Sequence, residues 1–318
     1  MARDVGALVA RAREGDPRSV GRLISLVENA APELREVMAA LAPHAGSARL
    51  IGLTGSPGVG KSTTTSALLS SYRARGDRVG VLAIDPTSPF SGGALLGDRV
   101  RMQDHALDPG VYIRSMGTRG NLGGVSWATP QAIRVLDAVG CDVVIIETVG
   151  VGQAEVAIAS LADSTVVMLA PGLGDGIQAA KAGILEIADL YVVNKADREG
   201  ATQTVRDLKS MLTLGEKRAP GAWKPPVLST VSVKNEGITE FVEELDRHQA
   251  WLLESGELEN RRRRRAAEEI EVLAVTALRE RMGDLSGGDL LGELADEVLA
   301  GKTDPYAAAD RLVAAVEG

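Results

Sequence analysis

The stretch RLIGLTGSPGVGKSTTTSALL, residues 49–69, contains the pattern that decides the fold. Its first six residues form an apolar run typical of a buried strand, and a glycine-rich loop and a helical pattern follow. Gly55 and the run Gly60-Lys61-Ser62 satisfy the spacing G-x-x-x-x-G-K-[ST], which is typical of a phosphate-binding loop between a strand and a helix. The stretch therefore predicts a nucleotide-binding α/β domain.

Each residue type in this loop has a predicted role. Glycines let backbone N–H groups close around a phosphate, and the N-terminus of the following helix adds its positive dipole. Lys61 is predicted to reach the terminal phosphates, and the Ser62 hydroxyl is predicted to ligate Mg²⁺. The full set of residues predicted to contact the phosphates is Gly55, Pro57, Gly58, Val59, Gly60, Lys61, Ser62 and Thr63.

Short apolar runs like the first one recur along the chain. They cover residues 49–54, 78–85, 141–148, 164–171, 190–197 and 225–233. Each run is apolar nearly throughout, which is typical of strands that are covered on both faces of a parallel sheet. Helical patterns separate most of them, so βαβ units are expected. The chain is therefore predicted to be an α/β protein with a P-loop GTPase-type core and a mostly parallel sheet.

Helical patterns without strand signals flank this core on both sides. They predict a helical N-terminal extension over 1–46, a nucleotide-binding domain over 47–253 and a helical C-terminal extension over 254–318. Apolar residues recur along the 266–282 helix, mostly at spacings of 3 or 4, and favour a homodimer formed through the C-terminal helices. The alternative, that these helices fold back on the core or on the N-terminal helices, stays open.

The segment NKAD, residues 194–197, follows another predicted strand and bears on base selectivity. The Asp197 carboxylate can accept hydrogen bonds from N1–H and from the 2-amino group of guanine, and adenine lacks that amino group. Lys195 would lie along the base, and Asn194 would brace the loops. After the next strand, Ser232 and Val233 would offer a backbone N–H to the guanine oxygen. The pattern predicts GTP rather than ATP.

Two predicted strands end in a carboxylate, Asp85 and Glu147. An apolar strand that ends in a carboxylate usually holds Mg²⁺ directly or through water. Gly150 follows Glu147 closely, and its N–H would face the γ-phosphate. Gln153 stands two residues farther along than the water-orienting glutamine of Ras-like GTPases. Slow basal hydrolysis is therefore predicted.

Composition argues against several other classes of protein. The net charge of −8 and the 3% aromatic content argue against a nucleic-acid surface, and one Cys with three His argues against a zinc site of Cys/His pairs. The N-terminus has no apolar signal region, and no run of 18 apolar residues exists, so no membrane segment and a cytoplasmic location are expected. The run Arg261–Arg265, with glutamates on either side, is interpreted as a solvated helix face, and a partner or dimer contact is the alternative.

Four longer segments carry a more specific signal: AIDPTSPFSGGALLGDRVRM (83–102), TRGNLGGVS (118–126), ETVGVGQAE (147–155) and APGLGDGIQAAKAG (170–183). Together with the P-loop and both helical extensions, they resemble the MeaB/ArgK GTPases, a family in the metallochaperone-related group of P-loop GTPases. The resemblance implies GTP hydrolysis and a chaperone role for an adenosylcobalamin-dependent acyl-CoA mutase, chiefly methylmalonyl-CoA mutase. The implied role is to gate cofactor loading and to protect or reactivate the mutase.

The resemblance also implies roles for individual residues. Asp85 and Asp98 match acids near Mg²⁺ in a first switch segment, Glu147 and Gly150 match a second, and Lys181 lies in a third mobile segment that approaches the nucleotide when a partner is bound. The implied metal ligands are Ser62, Asp85, Asp98 and Glu147, and the implied catalytic residues are Lys61, Glu147, Gly150 and Lys181.

Further expectations concern the cofactor and the partner protein. The chain contains no D-x-H-x-x-G pattern, so adenosylcobalamin is expected on the partner. Methylmalonyl-CoA mutase and isobutyryl-CoA mutase both fit as partners. A metallochaperone-type GTPase that serves another metalloenzyme or a cobalamin pathway remains the alternative function.

Overall fold

The structure is a computed structural model that describes residues 4–85, 105, 107–117, 128–148, 154–172, 186–214, 221–286 and 290–317. The chain divides into two compact units, Met1–Arg261 and Arg262–Gly318. The division into three segments with boundaries at 46/47 and 253/254 stays a prediction.

The first unit is built around a seven-stranded sheet. Its strands are β1 (Arg49–Thr54), β2 (Val79–Asp85), β3 (Val111–Gly117), β4 (Val143–Thr148), β5 (Ser164–Leu169), β6 (Leu190–Asn194) and β7 (Val227–Thr230). They lie in the order β3-β2-β4-β1-β5-β6-β7, and all of these pairings are parallel. The predicted parallel sheet is confirmed. β1 lies in the middle of the sheet. The loop that follows it lies at the carboxyl edge of the sheet, where α/β proteins bind their ligands.

The edge strand β3 is the one described strand that the apolar runs did not predict. Among the described strands, only β2 pairs with it. Tyr112 and Met116 are buried, whereas Arg114 and Ser115 are only partly buried. A strand at the edge of the sheet is covered less completely than a central one, so it lacks the continuous apolar run that identified the others.

Helices cover both faces of the sheet. One face carries α4 (Lys61–Ala74) and α8 (Ile238–Glu254), and the other carries α5 (Thr129–Ala138), α6 (Ala154–Leu161) and α7 (Ala201–Leu214). Alternate residues of each strand supply the two cores: Ile51 and Leu53 of β1 pack with α4, whereas Leu50 packs on the opposite face. This double covering explains why the central strands are apolar at nearly every position.

The N-terminal helices join the core on the second face. They are α1 (Val5–Arg13), α2 (Pro17–Glu28) and α3 (Leu34–Leu41). The Asp16 carboxylate accepts hydrogen bonds from the N–H groups of Arg18 and Ser19 and thereby caps α2, and Pro17 follows at a position where no N–H is needed. The apolar face of α2 is buried in the same cluster as α5; it consists of Val20, Leu23, Ile24 and Val27.

The start of the arginine run differs from the prediction of a solvated face. Arg261 lies in α9 (Glu257–Ser286), and its side chain is only 24% exposed. Its guanidinium donates to both oxygens of the Asp189 carboxylate, at 2.8 and 2.9 Å. Arg263 and Arg264 are exposed, as a solvated face requires. The sequence pattern could not separate Arg261 from its neighbours because its partner lies 72 positions away.

The second unit is helical. It contains the rest of α9, followed by α10 (Leu290–Leu299) and α11 (Pro305–Glu317). Leu294 and Ala308 are buried, and Arg311 pairs with Glu297 at 2.5 Å. Several apolar side chains of α9 are exposed, namely Ile270, Val272, Leu273, Val275 and Leu278. Across the described part of the chain, no helix is both long and apolar enough to cross a membrane.

Candidate nucleotide site

The loop between β1 and α4 requires glycine at two positions. Gly55 has φ 137°, and a Cβ there would lie 2.2 Å from the backbone oxygen of Met168. Gly60 has φ 101°, and a Cβ there would lie 2.4 Å from Nδ2 of Asn194. Any larger residue at Gly55 would have to displace strand β5, and both φ values disfavour other residues. The glycines therefore let the loop lie directly against β5 and the segment after β6.

Lys61 is the first residue of α4 and points back into the loop. Its Nζ donates to the backbone oxygens of Gly55 at 2.5 Å and Ser56 at 3.0 Å. The residue is only 7% exposed. The ammonium group is therefore held inside the loop whose N–H groups are suited to surround a phosphate.

Ser62 and Glu147, two of the predicted metal ligands, are in direct contact. Glu147 lies at the penultimate position of β4 and is 3% exposed. The Ser62 hydroxyl donates to its Oε1 at 2.8 Å. Hydroxyl and carboxylate oxygens are ligands that Mg²⁺ favours, so this pair fits the predicted metal site.

The structure covers the remaining predicted switch residues only in part. Asp85 ends β2, where its backbone pairs with Gly117, and this places it at the same edge of the sheet as Glu147. Asp98, Gly150 and Lys181 lie outside the described residues. Their roles stay predictions.

Asn194 links the phosphate loop to the segment after β7. Its Nδ2 donates to the backbone oxygen of Val59 at 2.9 Å. Its Oδ1 accepts hydrogen bonds from the Thr230 hydroxyl and from the Ser232 hydroxyl and N–H, at 3.0–3.1 Å. The side chain is 3% exposed. Asn194 therefore joins the end of its own strand to the phosphate loop and to the segment at the end of β7, which is the kind of contact expected of a bracing residue.

Lys195 and Asp197 follow Asn194 in the segment after β6. Lys195 has a positive φ of 58°, and its Nζ donates to the backbone oxygen of Gly58 at 2.5 Å. Asp197 pairs with Nζ of Lys234 at 3.0 Å, and this hydrogen bond lowers the pKa of the Asp197 carboxyl. Lys234 was not among the predicted site residues. A lowered pKa favours the ionised Asp197 carboxylate, which can accept two hydrogen bonds.

The structure separates the roles of Ser232 and Val233. The sequence predicted that both could offer an N–H to the base, but the Ser232 N–H donates to Asn194. The Ser232 hydroxyl contacts the Thr64 hydroxyl at 2.7 Å, so Ser232 serves the bracing network. The side chain of Val233 is 77% exposed. The contact of the Val233 N–H with the base stays a prediction.

Two threonines of α4 were also absent from the predicted site. Thr64 contacts Ser232, and the Thr65 hydroxyl donates to Oε2 of Glu147. Both are completely buried. The hydroxyl residues from Ser62 to Ser66 form a sequence signal that could have identified Thr65. Residues three apart share a helix face, so Thr65 lies beside Ser62 on α4.

The sequence is similar to those of a GTPase family, which agrees with a nucleotide-binding loop after β1. The model of the family described as "Methylmalonyl Co-A mutase-associated GTPase MeaB" matches residues 20–285. The Pyrococcus abyssi protein named "Putative GTPase" is 47% identical to this chain over 99% of the chain and 97% of its own length. GTPase ArgK of Escherichia coli is 34% identical, over 82% of this chain and 80% of its own length.

Two further similarities concern a mammalian relative and the fold. The mouse protein named "Methylmalonic aciduria type A homolog, mitochondrial" is 41% identical over 67% of this chain and 52% of its own length. The crystal structure titled "LAO/AO transport system kinase" covers the whole of both chains with a TM-score of 0.73 and 23% identity, which shows that the fold is shared. The phosphate loop at 55–62, the NKAD segment at 194–197 and the family match all point to a GTPase. The chain belongs to the MeaB family of GTPases.

Proposed function

We propose that this GTPase is a chaperone of an adenosylcobalamin-dependent acyl-CoA mutase, and that methylmalonyl-CoA mutase is its partner. The observation that carries the proposal is the match of residues 20–285 to a family described as associated with that mutase. The site supports a switch, because Asn194 connects the phosphate loop to the segment on the guanine side. GTP binding and hydrolysis in the cytoplasm would gate cofactor loading, and adenosylcobalamin would stay on the mutase.

A magnesium ion fits the proposed cycle. Ser62 and Glu147 present adjacent oxygen atoms, and Asp85 and Asp98 are the further proposed ligands. When bound, Mg²⁺ would neutralise charge on the phosphate oxygens. Lys61 would hold the terminal phosphates from the other side of the loop.

The proposed partner can be tested with purified proteins. We expect methylmalonyl-CoA mutase to bind this chain with different affinities in its GDP-bound form and in a form bound to a non-hydrolysable GTP analogue, as measured by calorimetry. We also expect slow GTP turnover by the chain alone, well below the typical enzyme value of about 10 per second, and faster turnover with mutase present. Equal affinity in both nucleotide states, with no stimulation, would contradict the proposal. Isobutyryl-CoA mutase is the matched comparison partner.

Lys181 provides a sharper version of that experiment. We propose that it approaches the nucleotide only in the complex, so Lys181→Ala should remove most of the stimulation by mutase and little of the basal rate. Lys209→Ala, which removes an exposed lysine of α7, is the control. Equal loss of the basal and the stimulated rates would place Lys181 in the resting site instead.

Guanine selectivity is proposed to depend on Asp197. In Asp197→Asn, the amide retains one acceptor but places N–H donors opposite a guanine donor. Because a hydrogen bond to a charged group contributes about 1.5–3 kcal/mol, GTP affinity should fall about tenfold or more, and xanthosine triphosphate should gain affinity. Calorimetry with both nucleotides measures the change. Asp207→Asn, an exposed carboxylate on α7, is the control. Unchanged GTP affinity would remove Asp197 from the base site.

We also propose a homodimer through the C-terminal helices. The exposed apolar residues of α9 include Ile270, Leu273 and Leu278, and exposed apolar surface of this kind often marks a protein–protein interface. Light scattering should give about twice the chain mass of 33.2 kDa. Leu273→Glu in the full chain should shift the protein to a monomer that still binds GTP. A monomeric full-length chain at micromolar concentration would contradict the proposal.

A further inference from the structure

Glu147 is held by two hydroxyl groups that project from the same face of α4. Ser62 donates to Oε1 at 2.8 Å, and Thr65 donates to Oε2. Ser62 and Thr65 are three residues apart, a spacing that places side chains side by side on a helix. The carboxylate therefore has a separate donor for each of its oxygens.

The hydrogen bond of Thr65 is not the local one that a helical threonine usually makes. Threonine in a helix commonly satisfies its hydroxyl on the carbonyl oxygen one turn earlier. Thr65 instead donates to a strand residue 82 positions away. Thr65 is 0% exposed and Glu147 is 3% exposed. A buried carboxylate requires such donors, and two fixed donors leave it little freedom to rotate.

We propose that Thr65 is a positioning residue for Glu147: its hydroxyl anchors Oε2 and thereby keeps Oε1 beside Ser62, where the carboxylate serves the magnesium site. The inference rests on the proposed role of Ser62 and Glu147 toward Mg²⁺. Thr65 does not touch the metal or the nucleotide in this arrangement and acts only through the carboxylate. Thr64, the preceding residue, contacts Ser232 on the guanine side and so provides a buried threonine with a different role.

Mg²⁺ affinity is the quantity that tests this role. Thr65→Val keeps the size of the side chain and removes the donor. Loss of a partner that orients a metal ligand typically weakens metal binding by roughly 10- to 100-fold. We expect a weakening in that range for Mn²⁺ bound to the GDP complex, measured by electron paramagnetic resonance, and for the Mg²⁺ concentration that half-saturates GTP hydrolysis. Thr65→Ser should restore both values to within about threefold, because the donor is retained.

Three further variants distinguish the possible outcomes. Thr204→Val, on α7 and outside the site, should leave the Mn²⁺ affinity close to that of the parent protein, and thermal unfolding establishes that each variant is folded. Ser62→Ala and Glu147→Gln test the metal site itself: if neither weakens Mn²⁺ binding, the proposed site is wrong. If both weaken it and folded Thr65→Val does not, the metal site stands and the role of Thr65 is overturned. Failure of Thr65→Ser to restore affinity would also overturn it.

Discussion

Lys61→Ala is expected to weaken GTP binding by about a hundredfold or more. The Nζ atom lies inside the phosphate loop, where it donates to the backbone oxygens of Gly55 and Ser56. In the GTP complex the ammonium would exchange these neutral acceptors for phosphate oxygens. Each hydrogen bond between charged groups contributes about 1.5–3 kcal/mol, and two such bonds account for the expected loss. Alanine supplies no donor, and water that fills the space carries no charge.

The experiment separates binding from folding. Calorimetry with GTP and GDP gives the affinities, and thermal unfolding without nucleotide shows whether the fold survives. Lys209→Ala is the matched control, since Lys209 is exposed on α7 and lies outside the site. If folded Lys61→Ala bound GTP within threefold of the parent protein, the assignment of the phosphate loop would be wrong.

Arg261→Met is expected to lower the free energy of unfolding by about 3–5 kcal/mol, the usual cost of leaving a buried charge without its partner. The partner is Asp189, which is 6% exposed and precedes β6. Its carboxylate accepts hydrogen bonds from Nη1 and Nη2 of Arg261 and from the N–H of Thr165, and Nε2 of His248 lies 3.3 Å from it. Methionine keeps most of the apolar stem but leaves the carboxylate without its charged partner. The cluster lies at the amino ends of β5 and β6, opposite the nucleotide loop.

Urea unfolding without nucleotide is the measurement, because a bound ligand would add its own stabilisation. Trp223 is a local fluorescence probe, since its Nε1 donates to the backbone oxygen of Asp189 at 2.7 Å. Arg247→Met is the control: Arg247 is 61% exposed and pairs with Glu244, and such a surface pair contributes about 0–1 kcal/mol. Equal costs for Arg247→Met and Arg261→Met would contradict the prediction.

The pH dependence provides an independent test of the same pair. Burial alone would raise the pKa of Asp189, but hydrogen bonds from His248 and Arg261 outweigh it and hold the pKa below its ordinary value. A lowered folded pKa stabilises the chain above the unfolded value of about 3.9, and this stabilisation is lost as the pH falls. The difference between Arg261→Met and the parent should therefore be largest near neutral pH and shrink as the pH falls from the pKa of Asp189 in the variant to its lowered pKa in the parent.

A double variant that removes both charged side chains tests whether Asp189 and Arg261 stabilise the fold as a pair. In Asp189→Asn with Arg261→Met, no buried carboxylate remains unpaired, so the double variant should be more stable than Arg261→Met alone. Additive losses would mean that the two side chains act independently.

The sequence by itself determined the nucleotide loop, the parallel sheet and the family. The loop spacing specifies a local structure, because Gly55 and Gly60 adopt φ values that other residues disfavour. Buried strands are recognisable because both of their faces must be apolar. The edge strand β3 escaped prediction since it is only half covered and carries Arg114 and Ser115.

The tertiary structure decided which side chains meet within and beyond the site. Thr65 reaches Glu147 across 82 positions, Arg261 reaches Asp189 across 72, and Lys234 reaches Asp197 across 37. Arg261 and Lys234 have no local pattern that identifies their partners, because guanidinium and ammonium groups also occur on solvated surfaces. The order of the strands and the packing of α4 and of the start of α9 bring the first two pairs together. Burial makes those two contacts energetically significant, whereas Lys234 and Asp197 are exposed.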